Sequence, residues 1–203
     1  MLACVERVLE SPYFVLTPEL TVFDEKVAAY TGAKHCISLN SDHHTLMIDL
    51  ITMGITKGDE AITSTISFVA SSLSIGHIGR TPVYANVHDD QNINPEEIEK
   101  KITPRTKTSM AVHWTGRFSD MHAIRDIPDQ NGLQVIKDSC QSMGRPIMAS
   151  VEEPLAFSAH PLMALNPAGN ASFMVTNDNA IAKRAGCTAT MVSPAGAPMS
   201  NMA

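Results

Sequence analysis

Short apolar runs alternate with longer segments in which apolar residues recur at helical spacing, along most of the chain. The apolar runs predict strands at residues 35–39, 60–63, 82–87, 108–114, 133–136, 156–160 and 172–176. The segments between them predict helices over residues 19–31, from after residue 44 to residue 54, and over 67–78, 121–128 and 178–185, with a further helix beginning at residue 95. This alternation predicts an α/β fold of three layers, α/β/α, in which helices cover both faces of a mainly parallel, mixed sheet.

The ends of two predicted helices carry recognisable signals. Asn94 is suited to cap a helix at its N-terminus, Pro95 fits the first helical position, and the acidic residues 96–97 favour the positive helix end. Gly32 follows the helix predicted over residues 19–31 and is a typical C-terminal stop. These signals support the element boundaries that the apolar pattern indicates.

Length and charge limit the number of domains and the kinds of partner that the sequence is compatible with. A chain of 203 residues can bury one sizeable core, and we predict one domain over residues 1–187. Residues 188–203 are small, uncharged and aperiodic, which predicts a flexible tail. The net charge of −6 and the lack of a basic stripe argue against nucleic acid, or an anionic membrane surface, as a partner.

The cysteine and histidine patterns predict neither a metal site nor a disulfide framework. Cys4, Cys36, Cys140 and Cys187 are widely spaced and form no CxxC pair, which indicates a reducing, cytoplasmic setting. The eight histidines are scattered without the spacing of metal ligands. No apolar run is long enough for a membrane span, and the first residues do not resemble a signal peptide.

The strand predicted at residues 133–136 is followed by polar residues that could face a ligand. Asp138 lies just beyond this strand, and Gln141 comes three residues later. In open α/β sheets, ligands bind outside the carboxyl ends of the strands, so Asp138 is a candidate site residue. A single Asp after a strand more often caps the following turn, which is the alternative interpretation of Asp138. His113, at the end of another predicted strand, is a further candidate for the pocket wall.

Several motifs in a fixed order indicate a family. They are FDEKVAAYTGAKHCISLNS, ITKGDEAITSTISFVASS, GRTPVYANV, NINPEEIEKKITPRTKTSMAVHWTGRFSDM, LQVIKDSCQSMG, AFSAHP and MVTND. With these motifs the chain resembles the DegT-type sugar aminotransferases, which are fold type I enzymes that use pyridoxal phosphate (PLP). The resemblance runs from about residue 19 to residue 187 and covers the large, cofactor-binding domain. The family's smaller C-terminal domain is expected to be missing from this sequence.

The resemblance implies a set of cofactor contacts. Asp138 would pair with the pyridinium nitrogen of PLP, which makes the ring a better electron sink. Gln141 would lie beside the ring and its 3-oxygen, and Phe68 would stack on the ring face. Ser158 would bind the phosphate. The family also implies a homodimer with its active site at the subunit boundary, a nucleotide-sugar substrate and an amino donor.

Three departures from the family pattern change the expected chemistry. Met163 stands where the family has the lysine that forms a Schiff base with PLP, and a thioether cannot form an imine or carry a proton. Asp42 and His43 replace the Gly-Thr of the phosphate loop, so a carboxylate would lie near a phosphate and repel it. Protonated His43 could partly offset that repulsion. The glycine-rich stretch after the lysine position has become NPAGNAS, with one glycine.

These observations leave several functions open. The first is a relative of the nucleotide-sugar aminotransferases, which act in polysaccharide or amino-sugar biosynthesis, with transamination impaired or lost because of Met163. The second is a non-catalytic family member, a pseudoenzyme that binds a partner. The third is a PLP-dependent sugar dehydratase without the lysine, in which His160 would act instead. A nicotinamide-binding Rossmann domain is disfavoured because no GxGxxG follows the strand at residues 35–39.

Overall fold

The computed structural model describes residues 2–12, 16–144, 153–165, 167 and 169–191. The strands are β1 (His35–Leu39), β2 (Glu60–Ser64), β3 (Thr81–Ala85), β4 (Thr106–Val112), β5 (Gln134–Asp138), β6 (Leu155–Ser158) and β7 (Ser172–Thr176). The helices are α1 (Leu2–Glu10), α2 (Pro18–Thr31), α3 (Asp42–Thr52), α4 (Val69–His77), α5 (Pro95–Lys100), α6 (Met121–Asn131) and α7 (Asn179–Met191), with a 3₁₀ turn at Trp114–Gly116.

The strands form one seven-stranded sheet in the order β1-β7-β6-β5-β4-β2-β3. The neighbours from β3 through β2, β4 and β5 to β6 are parallel. Only β7 runs antiparallel to its two neighbours, β6 and β1. The predicted mainly parallel, mixed sheet is therefore confirmed.

The sheet has two buried faces, because successive side chains of a strand point to opposite sides. Ile136 of β5 packs with Leu46 and Leu50 of α3 on one face. Val135, its neighbour in the strand, packs with Ile124 of α6 on the other face. Helices α3, α4 and α7 cover the first face and α2, α5 and α6 the second, which completes the predicted three-layer architecture.

Local sequence signals explain several element ends. The Asn94 side chain accepts a hydrogen bond from the Glu96 amide at 2.9 Å, as a helix cap should. Gly32 adopts φ 72° after α2, and its amide bonds back to the Ala28 carbonyl. Left-handed backbone of this kind favours glycine. The two predicted helix boundaries are thus confirmed.

Other boundaries differ from the predictions. Helix α1 was not predicted, α4 begins at Val69 and not at residue 67, and α6 continues through Pro128 to Asn131. Helix α7 extends to Met191, beyond the predicted domain boundary at residue 187. The rest of the predicted tail lies outside the described residues. Within the described part of the chain, no helix is both long and apolar enough to span a membrane.

Candidate functional site

A pocket lies at the carboxyl ends of β4 and β5, beside the N-termini of α3 and α4. The lining residues are Asp42, Leu46, Ser67, Phe68, Ala70, Val112, His113, Asp138, Cys140, Gln141 and Met163. The enclosed space is about 20 Å³, enough for roughly one water molecule. Six residues singled out from the sequence therefore meet here, although they come from five separate chain segments.

Asp138 is the last residue of β5 and is buried. It follows Ile136 by two residues, so its side chain lies on the α3 and α4 side of the sheet. Its Oδ2 accepts a hydrogen bond from Ser71 Oγ at 2.7 Å, and its Oδ1 accepts one from the Cys140 amide at 3.3 Å. Burial raises the pKa of this carboxyl, and the two hydrogen bonds partly oppose the rise.

The contacts of Asp138 are therefore compatible with both interpretations that the sequence left open. One carboxylate oxygen caps the turn after β5, and the other is held by α4 at the pocket wall. Ser71 was not among the predicted site residues. Its position two residues after the start of α4 gives no signal in the sequence, because the contact with Asp138 joins residues far apart along the chain.

Gln141 ties the turn after β4 to the pocket. Its Oε1 accepts a hydrogen bond from the Thr115 amide at 2.8 Å. Thr115 has φ 53°, in the left-handed region, and Gly116 follows with φ 79°. A Cβ atom on Gly116 would lie 3.0 Å from the Gln141 carbonyl oxygen, so this turn requires glycine. Gln141 thus fixes the shape of the pocket wall.

His113 is buried and presents one defined tautomer to the pocket region. Its Nδ1 accepts a hydrogen bond from the Ser119 amide at 3.2 Å, so the ring proton lies on Nε2. Burial, assisted by the positive charge of Lys137, lowers the pKa of His113 to about 3. His113 is therefore a neutral donor and cannot serve as a source of positive charge near neutral pH.

The N-terminus of α3 reaches the pocket through Asp42. Ser41 caps this helix and accepts a hydrogen bond from the His44 amide at 3.3 Å. Asp42 Oδ1 accepts a second one from the His43 amide at 2.8 Å. Two of the amides that a helix N-terminus offers to an anion are thus already bonded to neighbouring side chains.

His43 turns away from the pocket and is not among its lining residues. Its Nε2 lies 2.9 Å from Nδ1 of His77, at the end of α4, and the two rings pack edge to face. Burial and then the proximity of His77 lower the pKa of His43. The protonated form that could offset the Asp42 charge is disfavoured.

The segment after β6 brings Met163 to the pocket by a tight turn. The Met163 amide donates to the His160 carbonyl at 2.8 Å, and His160 in turn donates its amide to Ser158 Oγ at 3.3 Å. Ser158 is buried at the end of β6. Neither Ser158 nor His160 lines the pocket, so their predicted roles in phosphate binding and catalysis stay predictions.

None of the pocket-lining residues that the structure describes is a lysine. Lys137 is the nearest lysine before Met163 in sequence, but it precedes Asp138 in β5 and lies on the opposite face of the sheet. It is buried, and its Nζ forms an ion pair with Glu153 Oε2 at 2.7 Å. The described residues also contain no cluster of three or more side chains that could hold a metal ion.

The mainly parallel sheet covered by helices, with a buried acid at the end of a central strand, places the chain among the α/β proteins. Comparison with known sequences identifies its family. The model of the DegT/DnrJ/EryC1/StrS aminotransferase family matches residues 1–196, and the chain belongs to this family. The chain is 36% identical over 188 residues to the dTDP-3-amino-3,4,6-trideoxy-alpha-D-glucose transaminase of Streptomyces venezuelae, covering 90% of this chain and 49% of that protein. It is 33% identical to the spore coat polysaccharide biosynthesis protein SpsC of Bacillus subtilis, covering 89% of this chain and 47% of SpsC.

Solved structures agree with this assignment. DesV of Streptomyces venezuelae superposes with a TM-score of 0.86 at 36% identity, over 91% of this chain and 51% of DesV. NtdA of Bacillus subtilis, determined with bound cofactor PMP, superposes with a TM-score of 0.87 at 30% identity, over 91% of this chain and 42% of NtdA. The chain spans about half the length of the curated relatives it matches.

Proposed function

We propose that this chain is a relative of the nucleotide-sugar aminotransferases that keeps the ring-binding end of the PLP pocket and has impaired or absent transamination. The observation that carries the proposal is that Met163 lines the same pocket as Asp138, while no lysine is found among the lining residues in the described part of the chain. The names of the relatives support a nucleotide-sugar substrate, an amino donor and a place in polysaccharide or amino-sugar biosynthesis. A homodimer remains part of the proposal.

The ring end of the pocket fits a pyridine. Asp138 offers a buried carboxylate that Ser71 and the Cys140 amide hold in place. Such a group pairs well with a protonated ring nitrogen, because charge-assisted hydrogen bonds are strong in a buried setting. Phe68 lines the same pocket and offers an aromatic face. When bound, PLP supplies an electron sink for the substrate carbon that loses a proton.

The remainder of the pocket fits less well. The enclosed part of the pocket has room for roughly one water molecule, so a bound ring would lie at the open mouth or displace side chains such as Met163. Methionine is flexible enough to move in this way. The α3 amides are also bonded to Asp42 and Ser41.

Met163 accounts for the proposed loss of transamination. Its thioether has no basic nitrogen and can neither bond covalently to an aldehyde nor carry a proton between substrate carbons. No lysine occurs between Lys137 and Lys183, so a shifted alignment would not provide one. Lys137 is engaged with Glu153 on the other side of the sheet.

A non-catalytic role is the second candidate, and the same observations favour it. The chain retains the fold of the family. Its described pocket residues include an acid at the α3 N-terminus, but no lysine that could act as the reactive amine. The lysine-free dehydratase gains no such support, since His160 is absent from the lining residues. The two leading candidates differ in whether the chain binds the cofactor.

The test is incubation with PLP, a visible spectrum, borohydride reduction and peptide mass mapping. We expect saturable binding by the wild-type chain with no adduct at a single defined lysine. Met163→Lys should gain an adduct at residue 163, and the matched Met163→Gln variant, which has no amine, should not. A stoichiometric wild-type adduct on one lysine would overturn the proposed loss of the amine. A spectrum of free aldehyde throughout would favour the non-catalytic candidate.

A further inference from the structure

The N-terminus of α3 contains a negatively charged side chain, that of Asp42, which bonds to a helix amide. The Asp42 carboxylate accepts the His43 amide hydrogen bond at 2.8 Å and at the same time lines the pocket that contains Asp138. The next amide, that of His44, is taken by Ser41 Oγ. A helix N-terminus attracts anions because its first amides lack partners within the helix and the helix dipole is positive there. In this chain, side chains already satisfy both amides.

A phosphate at this place would meet an unfavourable charge. It would have to displace the Asp42 carboxylate from the His43 amide and then remain close to it. Like charges a few ångströms apart repel each other, and the repulsion grows as water is excluded. Asp138 contributes a second acid to the same pocket.

The described residues that line the pocket include no lysine or arginine to offset this charge. Burial and the proximity of His77 lower the pKa of His43, the residue that follows Asp42. His113, the lining histidine, is neutral because it is buried. Together, these three observations make the pocket unfavourable for a doubly charged phosphate.

We propose that Asp42 is a specificity-determining residue that disfavours phosphate, so that the pocket binds a phosphate-free pyridine amine or aldehyde at least as well as its phosphate ester. The inference rests on the proposed function, since it assumes that a pyridine ring binds beside Asp138. It goes beyond that function because it assigns the selectivity between two ligands to one residue. The ring contacts are common to both ligands, and only the phosphate distinguishes them.

The test compares pyridoxamine with pyridoxamine phosphate by titration calorimetry. Both compounds are amines, so neither reacts with surface lysines and the readout is binding alone. The proteins are the wild-type chain, Asp42→Asn, Asp42→Gly and the control Asp89→Asn. Asp89 is exposed, and its replacement makes the same change in net charge away from the α3 N-terminus.

We expect the wild-type chain and Asp89→Asn to bind the phosphate ester no more tightly than pyridoxamine. Asp42→Asn should bind the ester about tenfold more tightly, with pyridoxamine changed by less than about twofold. Asp42→Gly should gain more, because it also frees the His43 amide.

Three results would overturn the inference. A wild-type preference for the ester of tenfold or more would do so and leave the proposed function intact. An equal gain for both ligands in Asp42→Asn would mean that Asp42 acts through pocket shape and not through charge. Binding of neither ligand by any variant would remove the proposed function together with the inference.

Discussion

Asp49 is a third acid close to the pocket, and it is fully buried within α3. Neither of its carboxylate oxygens has a hydrogen-bond partner among the described residues. Burial raises the pKa of Asp49 well above its usual value, and the negative charge of Asp138 adds to the rise. An ionised carboxylate without partners is expensive to bury, so the folded chain favours the neutral acid.

This burial makes the stability of the chain depend on pH. The folded state holds the Asp49 proton to a higher pH than the unfolded state, whose aspartates titrate near pH 4. The contribution to stability is therefore complete below about pH 4 and is lost as pH rises through the folded pKa.

Asp49→Asn should remove this dependence. At pH 8 we expect the variant to be more stable than the wild-type chain by about 1–3 kcal/mol, because an amide cannot ionise. Near pH 4 the two proteins should have similar free energies of unfolding. Urea unfolding at several pH values measures the difference, with Asp89→Asn as the control at an exposed site. Parallel pH curves for the wild-type chain and Asp49→Asn would contradict the argument.

For individual residues, the sequence predicted part of the pocket lining. Asp138 follows a predicted strand, and the family resemblance singled out Asp42, Phe68, Gln141 and Met163, which the fold does bring into one pocket. The contact from Ser71 depends on the packing of α4 against β5 and has no local signal.

Asp49 did leave a signal in the sequence. It lies three residues after Leu46 and one before Leu50, both of which are buried core residues. Residues three or four apart share a helix face, so this spacing places Asp49 on the buried face of α3.

At the scale of elements, the two faces of β5 differ, because one faces the pocket and the other faces a buried ion pair. Asp138 lies toward the pocket, whereas Lys137 lies on the opposite face and pairs with Glu153 at 2.7 Å. Arg125 of α6 binds the same carboxylate with two nitrogens, at 2.8 and 3.1 Å. Burial alone would raise the pKa of Glu153, but Lys137 and Arg125 outweigh this effect and lower it. The carboxylate thus links β5, α6 and the segment that leads into β6.

Glu153→Gln should destabilise the fold by about 2–3 kcal/mol at pH 7, since the buried Lys137 loses the negative charge that it contacts. Because the folded pKa of Glu153 is lowered, its contribution is present above the unfolded pKa near 4.3 and is lost as pH falls through the folded pKa. The gap between wild-type chain and variant should therefore narrow at pH 3.5 in urea unfolding.

Two controls separate this role from a general loss of charge. Glu97→Gln removes the carboxylate of an exposed pair with Lys100 and should have little effect. The double variant Lys137→Met/Glu153→Gln should recover part of the lost stability, because an apolar side chain replaces the buried cation. Equal losses for the single and double variants would show that the Lys137 charge is not the cause.

Strands and helices were predicted correctly where a single sequence pattern was strong. Apolar runs located all seven strands, but a run carries no direction, so the antiparallel setting of β7 could not be derived from it. Proline usually ends a helix, yet α6 continues past Pro128.

At the scale of the whole molecule, apolar side chains remain exposed beside the pocket. Phe68, Val69 and Leu73 are 57%, 55% and 41% exposed, and Ile66 precedes them with 40%. Val69 and Leu73 are four residues apart in α4 and share one helix face. Several large apolar side chains exposed near one another in the sequence are typical of an interface. They form the surface on which we expect the second copy of the proposed homodimer to pack.

Leu73→Glu tests this surface, because a charge at its centre would be buried in the dimer without a partner. We expect the wild-type chain to sediment as a dimer at micromolar concentration and Leu73→Glu as a monomer with unchanged helix content. Val22→Glu, at an exposed position of α2, is the matched control and should remain dimeric. Since Phe68 both lines the pocket and belongs to this surface, a dimer would also cover the pocket mouth. Loss of the dimer should then weaken pyridoxamine binding in Leu73→Glu, whereas a monomeric wild-type chain would place the interface elsewhere or remove it.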